Sequence, residues 1–312
     1  MSKKTALLIA LSMFLSLISC GANNKKCEEH TYQKEGFMGL VCENCQDRKT
    51  NAPKSVKILA IGNSFSDDST YYLWNILNDA GVENITIGNL FLRSCSLDMH
   101  YENATNDLSK YEYRETTNGQ WNSTPQFTIK KALEKWDWDI VTFQQASADS
   151  GLPESYKNLS NLLEYVEARV PQECQFYWHM TWAYQKDSSH KGFSSYKNNQ
   201  NTMYQAICKT AKEQVMADAR FAGILPAGTA VQNLRTSYIG DTLTLDGHHL
   251  SRPLGRYLAA MSWFAGLGGN VREIRWCPDK TVKEHLPAIY DALESAVQSP
   301  FSQTKSNYTK KK

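Results

Sequence analysis

The chain has 312 residues, 34 Lys and Arg against 32 Asp and Glu, and 41% hydrophobic residues. That is enough for one large domain, or two small ones, with a sizeable core. The charge is nearly balanced and no long basic run interrupts the interior, so the electrostatic footprint of nucleic-acid binding is missing and no nucleic-acid partner is expected.

Residues 1–19 read as an export signal. Lys3 and Lys4 give a positive start, and Ala6 to Ile18 is apolar or small apart from Ser12 and Ser16. The stretch is too short for a permanent spanning helix. It ends in Leu17-Ile18-Ser19-Cys20, which resembles the bacterial lipoprotein box. The resemblance implies cleavage before Cys20, lipid on its sulfur, and an exported domain tethered to the cell envelope, periplasmic or on the outer surface.

Residues 20–54 read as a polar, Cys-bearing arm and linker ending at Ala52-Pro53-Lys54. Cys42-Glu43-Asn44-Cys45, with Cys27 and His30 upstream, has some look of a small zinc knot. In an oxidising compartment a disulfide with one thiol to spare is the preferred reading, so no metal is assigned.

From 55 to about 300 short apolar runs alternate with helical patterns. Strands are expected at Val56–Ile61, Asn84–Phe91, Asp139–Phe143, Gln175–Met180 and Phe221–Pro226. Helices are expected at Asp68–Ala80, Ile129–Trp136, Tyr156–Ala168, Tyr196–Met216, Leu254–Leu267 and Leu286–Val297. This alternation predicts an α/β fold, a three-layer α/β/α domain with about five mostly parallel strands. Residues 301–312 read as a disordered tail. In such sheets ligands bind beyond the carboxyl ends of the strands, so the residues there are the candidates for chemistry.

The first strand runs into Gly62-Asn63-Ser64-Phe65-Ser66. A Ser on a tight strand-to-helix turn is exposed near the positive end of the helix, although Ser64 or Ser66 would serve equally as a helix N-cap. Far along the chain lies Asp246-Gly247-His248-His249. A Ser hydroxyl needs a base to take its proton, and a carboxylate to hold that base in the right tautomer. Either His248 or His249 could be the base.

Together these segments resemble the SGNH (GDSL-like) serine hydrolases. That family carries Gly-Asp-Ser-Leu after the first strand and Asp-x-x-His before the last helix, matched here by Gly62-Asn63-Ser64-Phe65 and Asp246-Gly247-His248-His249. The resemblance spans roughly 56–297. It implies Ser64 as nucleophile, His249 as base and Asp246 as its orienting partner, with no cofactor.

The middle blocks depart from the family pattern. Arg93-Ser94-Cys95 stands where a Gly offers its N–H to the oxyanion, and Ser94 is the equivalent chosen. Gln144-Gln145 stands where the family has Asn. This resembles a branch using Gln as oxyanion donor, as in some carbohydrate acetylesterases. Strand alternation admits only one of the pair, and Gln145 is preferred over Gln144. The aromatic run from Tyr177 to Tyr184 reads either as a wall of the substrate site, with Trp182 foremost, or as core. His100 and His179 read as structural, and Cys95 is rejected as a nucleophile for want of a nearby base or helix start. The resemblance implies removal of an acetyl or other small acyl group from a polysaccharide or oligosaccharide. The rivals are a lipase, a thioesterase, a sugar methyl-esterase, or a non-catalytic glycan-binding lipoprotein.

Overall fold

A computed structural model describes Cys27 and residues 30–310. Residues 1–26 fall outside it, and with them the export signal and Cys20.

Three short strands come first: β1 (Tyr32–Glu35), β2 (Gly39–Cys42) and β3 (Arg48–Thr50). They form an antiparallel sheet of their own. The arm is therefore not a linker. Met38 is fully buried, and its N–H donates to Leu267 O at 2.9 Å. Asn270 Nδ2 donates to Arg48 O at 2.8 Å. A Cβ on Gly39 would lie 2.4 Å from Gly268 O, so the close seating of this sheet depends on glycine there. Strands of three or four residues with charged outer faces give almost no period-two signal.

The main domain follows in chain order: β4 (Ser55–Gly62), α1 (Ser64–Thr70), α2 (Leu73–Asp79), β5 (Asn84–Phe91), α3 (Leu97–Thr105), β6 (Tyr111–Thr116), β7 (Asn122–Phe127), α4 (Ile129–Leu133), β8 (Ile140–Phe143), α5 (Leu159–Glu167), β9 (Gln175–His179), α6 (Gln200–Thr210), β10 (Phe221–Leu225), α7 (Ala227–Leu234), α8 (Leu254–Gly266) and α9 (Lys280–Gln298). The sheet has seven strands in the order β10-β9-β8-β4-β5-β6-β7. The five expected strands are the parallel ones. The hairpin β6–β7 extends the sheet beyond β5 in antiparallel sense. It escapes the sequence reading because β7 is almost wholly exposed and carries Pro125, so it lacks an apolar face.

Strands β4 and β8 are buried nearly residue after residue, as strands covered on both faces must be. Helices α1, α2, α7, α8 and α9 pack on one another over one face, and α3, α4 and α5 over the other. The helix expected over Asp68–Ala80 is two helices that break at Tyr72, whose backbone leaves the helical region. Helix α9 starts earlier than expected, where Asp279 accepts the Val282 N–H at 2.9 Å, and it runs through Pro287.

The tail is docked rather than disordered over residues 301–310. Ser306 Oγ and Asn307 Nδ2 donate to the Asp291 carboxylate of α9 at 2.8 and 2.6 Å, and Thr304 N donates to Asn233 Oδ1 of α7 at 2.7 Å. Its polar composition conceals this, because much of the docking comes from polar side chains, beside the partly buried Phe301 and Tyr308. Among the described residues, no helix is long and apolar enough to cross a membrane.

Candidate active site

Strand β4 delivers Ser64 to the first position of α1. Asn63 caps that helix, its Oδ1 accepting the Phe65 N–H at 3.0 Å. The cap leaves the Ser64 hydroxyl outside the helix's own hydrogen bonding. A Cβ on Gly62 would lie 2.5 Å from Ser66 Oγ and 2.9 Å from Gln144 Oε1, so only glycine fits the turn.

The loop before α8 supplies the other two groups. Asp246 Oδ1 accepts the backbone N–H of His248 at 3.2 Å and of His249 at 2.8 Å, which folds the loop around the carboxylate. Its Oδ2 lies 2.7 Å from His249 Nδ1. A carboxylate only accepts, so Nδ1 carries the proton and Nε2 presents its lone pair. That Nε2 lies 2.9 Å from Ser64 Oγ. Burial pulls the Asp246 carboxyl upward, but the His249 side chain and the two backbone N–H groups outweigh it and hold it at about 2. The structure thus brings Ser64, His249 and Asp246 into one hydrogen-bonded line. His248 lies beside His249 with ring centroids 4.1 Å apart and ring planes tilted by 42°, and it is His249 that meets Ser64.

Ser64 and His249 open onto a cavity of about 460 Å³ whose wall includes Phe91, Arg93, Ser94, Ser147 and Lys191. Ser94 has φ of 53°, a left-handed conformation that fixes the backbone of this wall.

Three expected binding residues are placed elsewhere. Gln145 is fully buried and faces away from the cavity: its Nε2 donates to Ser155 O and Oγ at 2.8 and 3.0 Å, and its Oε1 accepts the N–H groups of Leu97 and Ala146. It ties α3 to the loop after β8. Gln144 points toward Ser64's neighbour but does not line the cavity. Its Nε2 donates to Asn63 Oδ1 at 2.7 Å, and its Oε1 faces His179 Nδ1 at 2.9 Å. Trp182 is fully buried, stacked on Phe65 at 4.2 Å, and donates Nε1–H to His248 O at 2.7 Å. The aromatic run from Tyr177 to Tyr184 is core, not a substrate wall. An apolar strand end covered by α7 and α8 has no open side on which to present rings.

The direction of each bond around Gln144 follows from its partners. Asn63 Nδ2 donates to Cys95 O at 3.2 Å, which orients the amide and leaves Oδ1 as acceptor. Gln144 must then donate through Nε2 and accept through Oε1. Burial pushes His179 down to about 3, so the ring is neutral with its proton on Nδ1. Its Nε2 therefore accepts from Ser69 Oγ at 3.1 Å. The result is a buried relay, Ser69 to His179 to Gln144 to Asn63, ending one residue before Ser64.

Asp68 is a residue the sequence reading missed. It is buried on α1, four residues after Ser64, and pairs with Arg256 at 2.7 Å. Its Oδ2 accepts the Leu250 N–H at 2.7 Å, so it fastens the His249 loop to the helix that starts with Ser64. The one signal for it is an acidic residue one helical turn after Ser64. Cys95 does have a base beside it, His100 Nδ1 at 3.4 Å, and α3 begins two residues later. The thiol is nevertheless buried and pushed up to about 12, so it is not a nucleophile. His100 is itself buried and held down to about 3.

Residues 57–291 match the family model DUF4886, a domain of unknown function. This chain belongs to the DUF4886 family. The crystal structure of a DUF4886 family protein from Bacteroides uniformis ATCC 8492 is similar at 39% identity with a TM-score of 0.77, over 80% of this chain and 98% of that one. A protein from Slackia heliotrinireducens described as a candidate SGNH hydrolase is 18% identical with a TM-score of 0.43, over 69% of this chain and 100% of that one, an overlap too loose to carry an argument. Among curated proteins, none matches.

Proposed function

We propose that this DUF4886 protein is a serine esterase of the SGNH type that removes a small acyl group, acetyl foremost, from a carbohydrate. The observation that carries the reading is the line Asp246–His249–Ser64, with contacts of 2.7 and 2.9 Å, at the wall of a cavity. A hydroxyl, an imidazole and a carboxylate in that order are the machinery of acyl transfer through a serine nucleophile.

In this mechanism His249 Nε2 takes the Ser64 proton as Oγ attacks the ester carbonyl. Asp246 stabilises the imidazolium that forms. Burial first and the charge on His249 second lower the neighbouring His248 below the ordinary imidazole value. The backbone N–H groups of Ser64 and Ser94 are the oxyanion donors in this reading, since neither Gln144 nor Gln145 lines the cavity. The imidazolium protonates the leaving alcohol, and water then clears the acyl-enzyme by the same route.

The cavity wall favours a polar substrate. Arg93, Ser147, Asp149, His190 and Lys191 stand around Ser64, with Phe65, Phe91, Ala146 and Ala148 as the apolar part. That composition suits a short acyl chain on a hydroxyl-rich sugar better than a long lipid tail. Export and lipid attachment at Cys20 complete the proposal and place the substrate in the cell envelope.

The test is hydrolysis of p-nitrophenyl acetate and of acetylated oligosaccharides, beside Ser64→Ala. Turnover that disappears in the variant supports the acyl-enzyme route, and falling rates with acyl length support a short-chain site. Equal activity in both proteins would remove Ser64 from the mechanism. Radiolabelled fatty acid incorporated into the chain but not into Cys20→Ser tests the anchor.

A further inference from the structure

Outside the Ser64 cavity, four soft ligands converge on the small N-terminal sheet. Cys27, His30, Cys42 and Cys45 each bring one ligand atom, and these atoms all lie within 4.8 Å of one another. We propose that these three cysteines and one histidine form a closed site for one structural zinc ion. This inference is independent of the esterase reading.

The spacing carries the first part of the argument. Cys27 and His30 are separated by two residues, as are Cys42 and Cys45. Two such pairs on facing segments are the usual way a short chain surrounds a tetrahedral ion.

Distances carry the second part. With Zn–S of about 2.3 Å and Zn–N of about 2.0–2.1 Å, a tetrahedron has S···S edges of about 3.8 Å and S···N edges of about 3.6 Å. Cys27 Sγ lies 4.0 Å from Cys42 Sγ, and Cys45 Sγ lies 3.4 Å from His30 Nδ1. A disulfide between any two of these cysteines would leave the third sulfur and the imidazole gathered at the same point with no reason to be there. One zinc ion accounts for all four.

The local fold is built for this. Cys42 closes β2 and opens a tight turn, in which Gln46 N donates to Cys42 O at 2.9 Å with φ of 62° at Gln46. The turn brings Cys45 back beside Cys42. Glu43 N donates to Thr31 O at 2.9 Å, which holds the segment bearing His30 against the same turn.

A full set of four protein ligands leaves no open coordination position, so the ion is structural. The location agrees. This sheet sits on Leu267 and Asn270, just past the C-terminal end of α8, whereas His249 precedes its N-terminal end. A helix of 13 residues at 1.5 Å per residue separates the two by about 20 Å. The ion would fix the start of the described chain to the sheet, and its binding energy would add to the folding of the arm.

The experiment uses the full chain, purified under reducing conditions, with metal content measured by mass spectrometry after dialysis. One zinc per chain is expected. Exchange with cobalt(II) should give the visible d–d and near-UV thiolate charge-transfer bands of a tetrahedral centre with three thiolates and one imidazole. Cys42→Ser and Cys45→Ser should lose the metal, His30→Cys should keep it with a band shift toward an all-thiolate centre, and Cys174→Ser should leave it unchanged. A failure of the first two variants to fold leaves the cobalt spectrum of the unmodified chain as the deciding measurement. The proposal is overturned if zinc-loaded, reduced chain retains no metal. It is also overturned if cobalt gives an octahedral spectrum, or if protein isolated from its compartment carries a disulfide among Cys27, Cys42 and Cys45.

Discussion

Replacing Gln144 with Leu separates two roles that a buried carboxamide beside a nucleophile can have. In the structure the side chain joins His179 to Asn63 through contacts of 2.9 and 2.7 Å. Leucine fills a similar volume and breaks both. Asn63 Oδ1 keeps the Phe65 N–H, so its loss is that of one net hydrogen bond, about 1 kcal/mol. The His179 Nδ1–H is left buried and unpaired, which costs a further ~1–3 kcal/mol. The expected destabilisation is therefore about 2–4 kcal/mol, or a Tm lower by roughly 5–12 °C for a domain of this size. The effect on turnover should be small, a fall in kcat of no more than about tenfold, because Asn63 still caps α1 and Ser64 still meets His249. Differential scanning calorimetry and ester hydrolysis on the same preparations give both numbers. An oxyanion donor behaves in the opposite way, with roughly a 10²–10³-fold loss of kcat and an unaltered fold. That outcome, an intact Tm with a large loss of kcat, would refute the relay.

Three further outcomes follow from the same geometry. Asp246→Asn keeps the loop's backbone bonds but offers an N–H to His249 Nδ1, so kcat should fall by roughly 10³–10⁴-fold with little change in Tm, and an effect below tenfold would show that His249 does not need its partner. Gly62→Ala places a methyl group 2.5 Å from Ser66 Oγ and should lower stability by about 1–3 kcal/mol in urea titrations; an unchanged midpoint would mean that the turn relaxes freely. Burial raises Asp68 to about 6 against the pull of Arg256 and the Leu250 N–H, above the ordinary 3.8. The folded chain then holds this proton more tightly than the unfolded chain, so Asp68 adds stability as pH falls from about 6 toward 4 and loses it as pH rises through that window, by at most about 3 kcal/mol. Asp68→Asn should remove that part of the pH slope, and identical slopes in both proteins would sink the assignment.

The five parallel strands were readable from sequence because each is a short, nearly continuous apolar run; Ser64 could be singled out because it follows the first of them, and Asp246 and His249 because their Asp-x-x-His spacing stands ahead of a helix. What was not readable depended on contacts between distant segments. Gly39 seats the N-terminal sheet only because Gly268, more than two hundred residues away, lets the backbones touch. The tail docks through Asp291 and Asn233, whose side chains would otherwise look like ordinary helix-surface groups. Asp68 becomes important only when Leu250 and Arg256 arrive beside it.

The choice between Gln144 and Gln145 shows where a single strand's alternation runs out. Alternation says that the two side chains point to opposite sides, but not which side holds the Ser64 turn. Sheet register supplies the answer. Ile61 pairs with Phe143 and Phe143 with Trp178, so one step further Gly62, Gln144 and His179 stand in a row across the carboxyl edge of three adjacent strands. Gly62 has no side chain, and the space it leaves is where the Gln144 amide lies: a Cβ there would stand 2.9 Å from Oε1. His179 closes the other side of the row and fixes which end of the amide donates. Gln144 is thus drawn to Asn63 by its two sheet neighbours, and Gln145 is left to pair with Ser155 and Leu97 on the opposite face. Strand order and register, not the dipeptide, decide which glutamine stands behind Ser64.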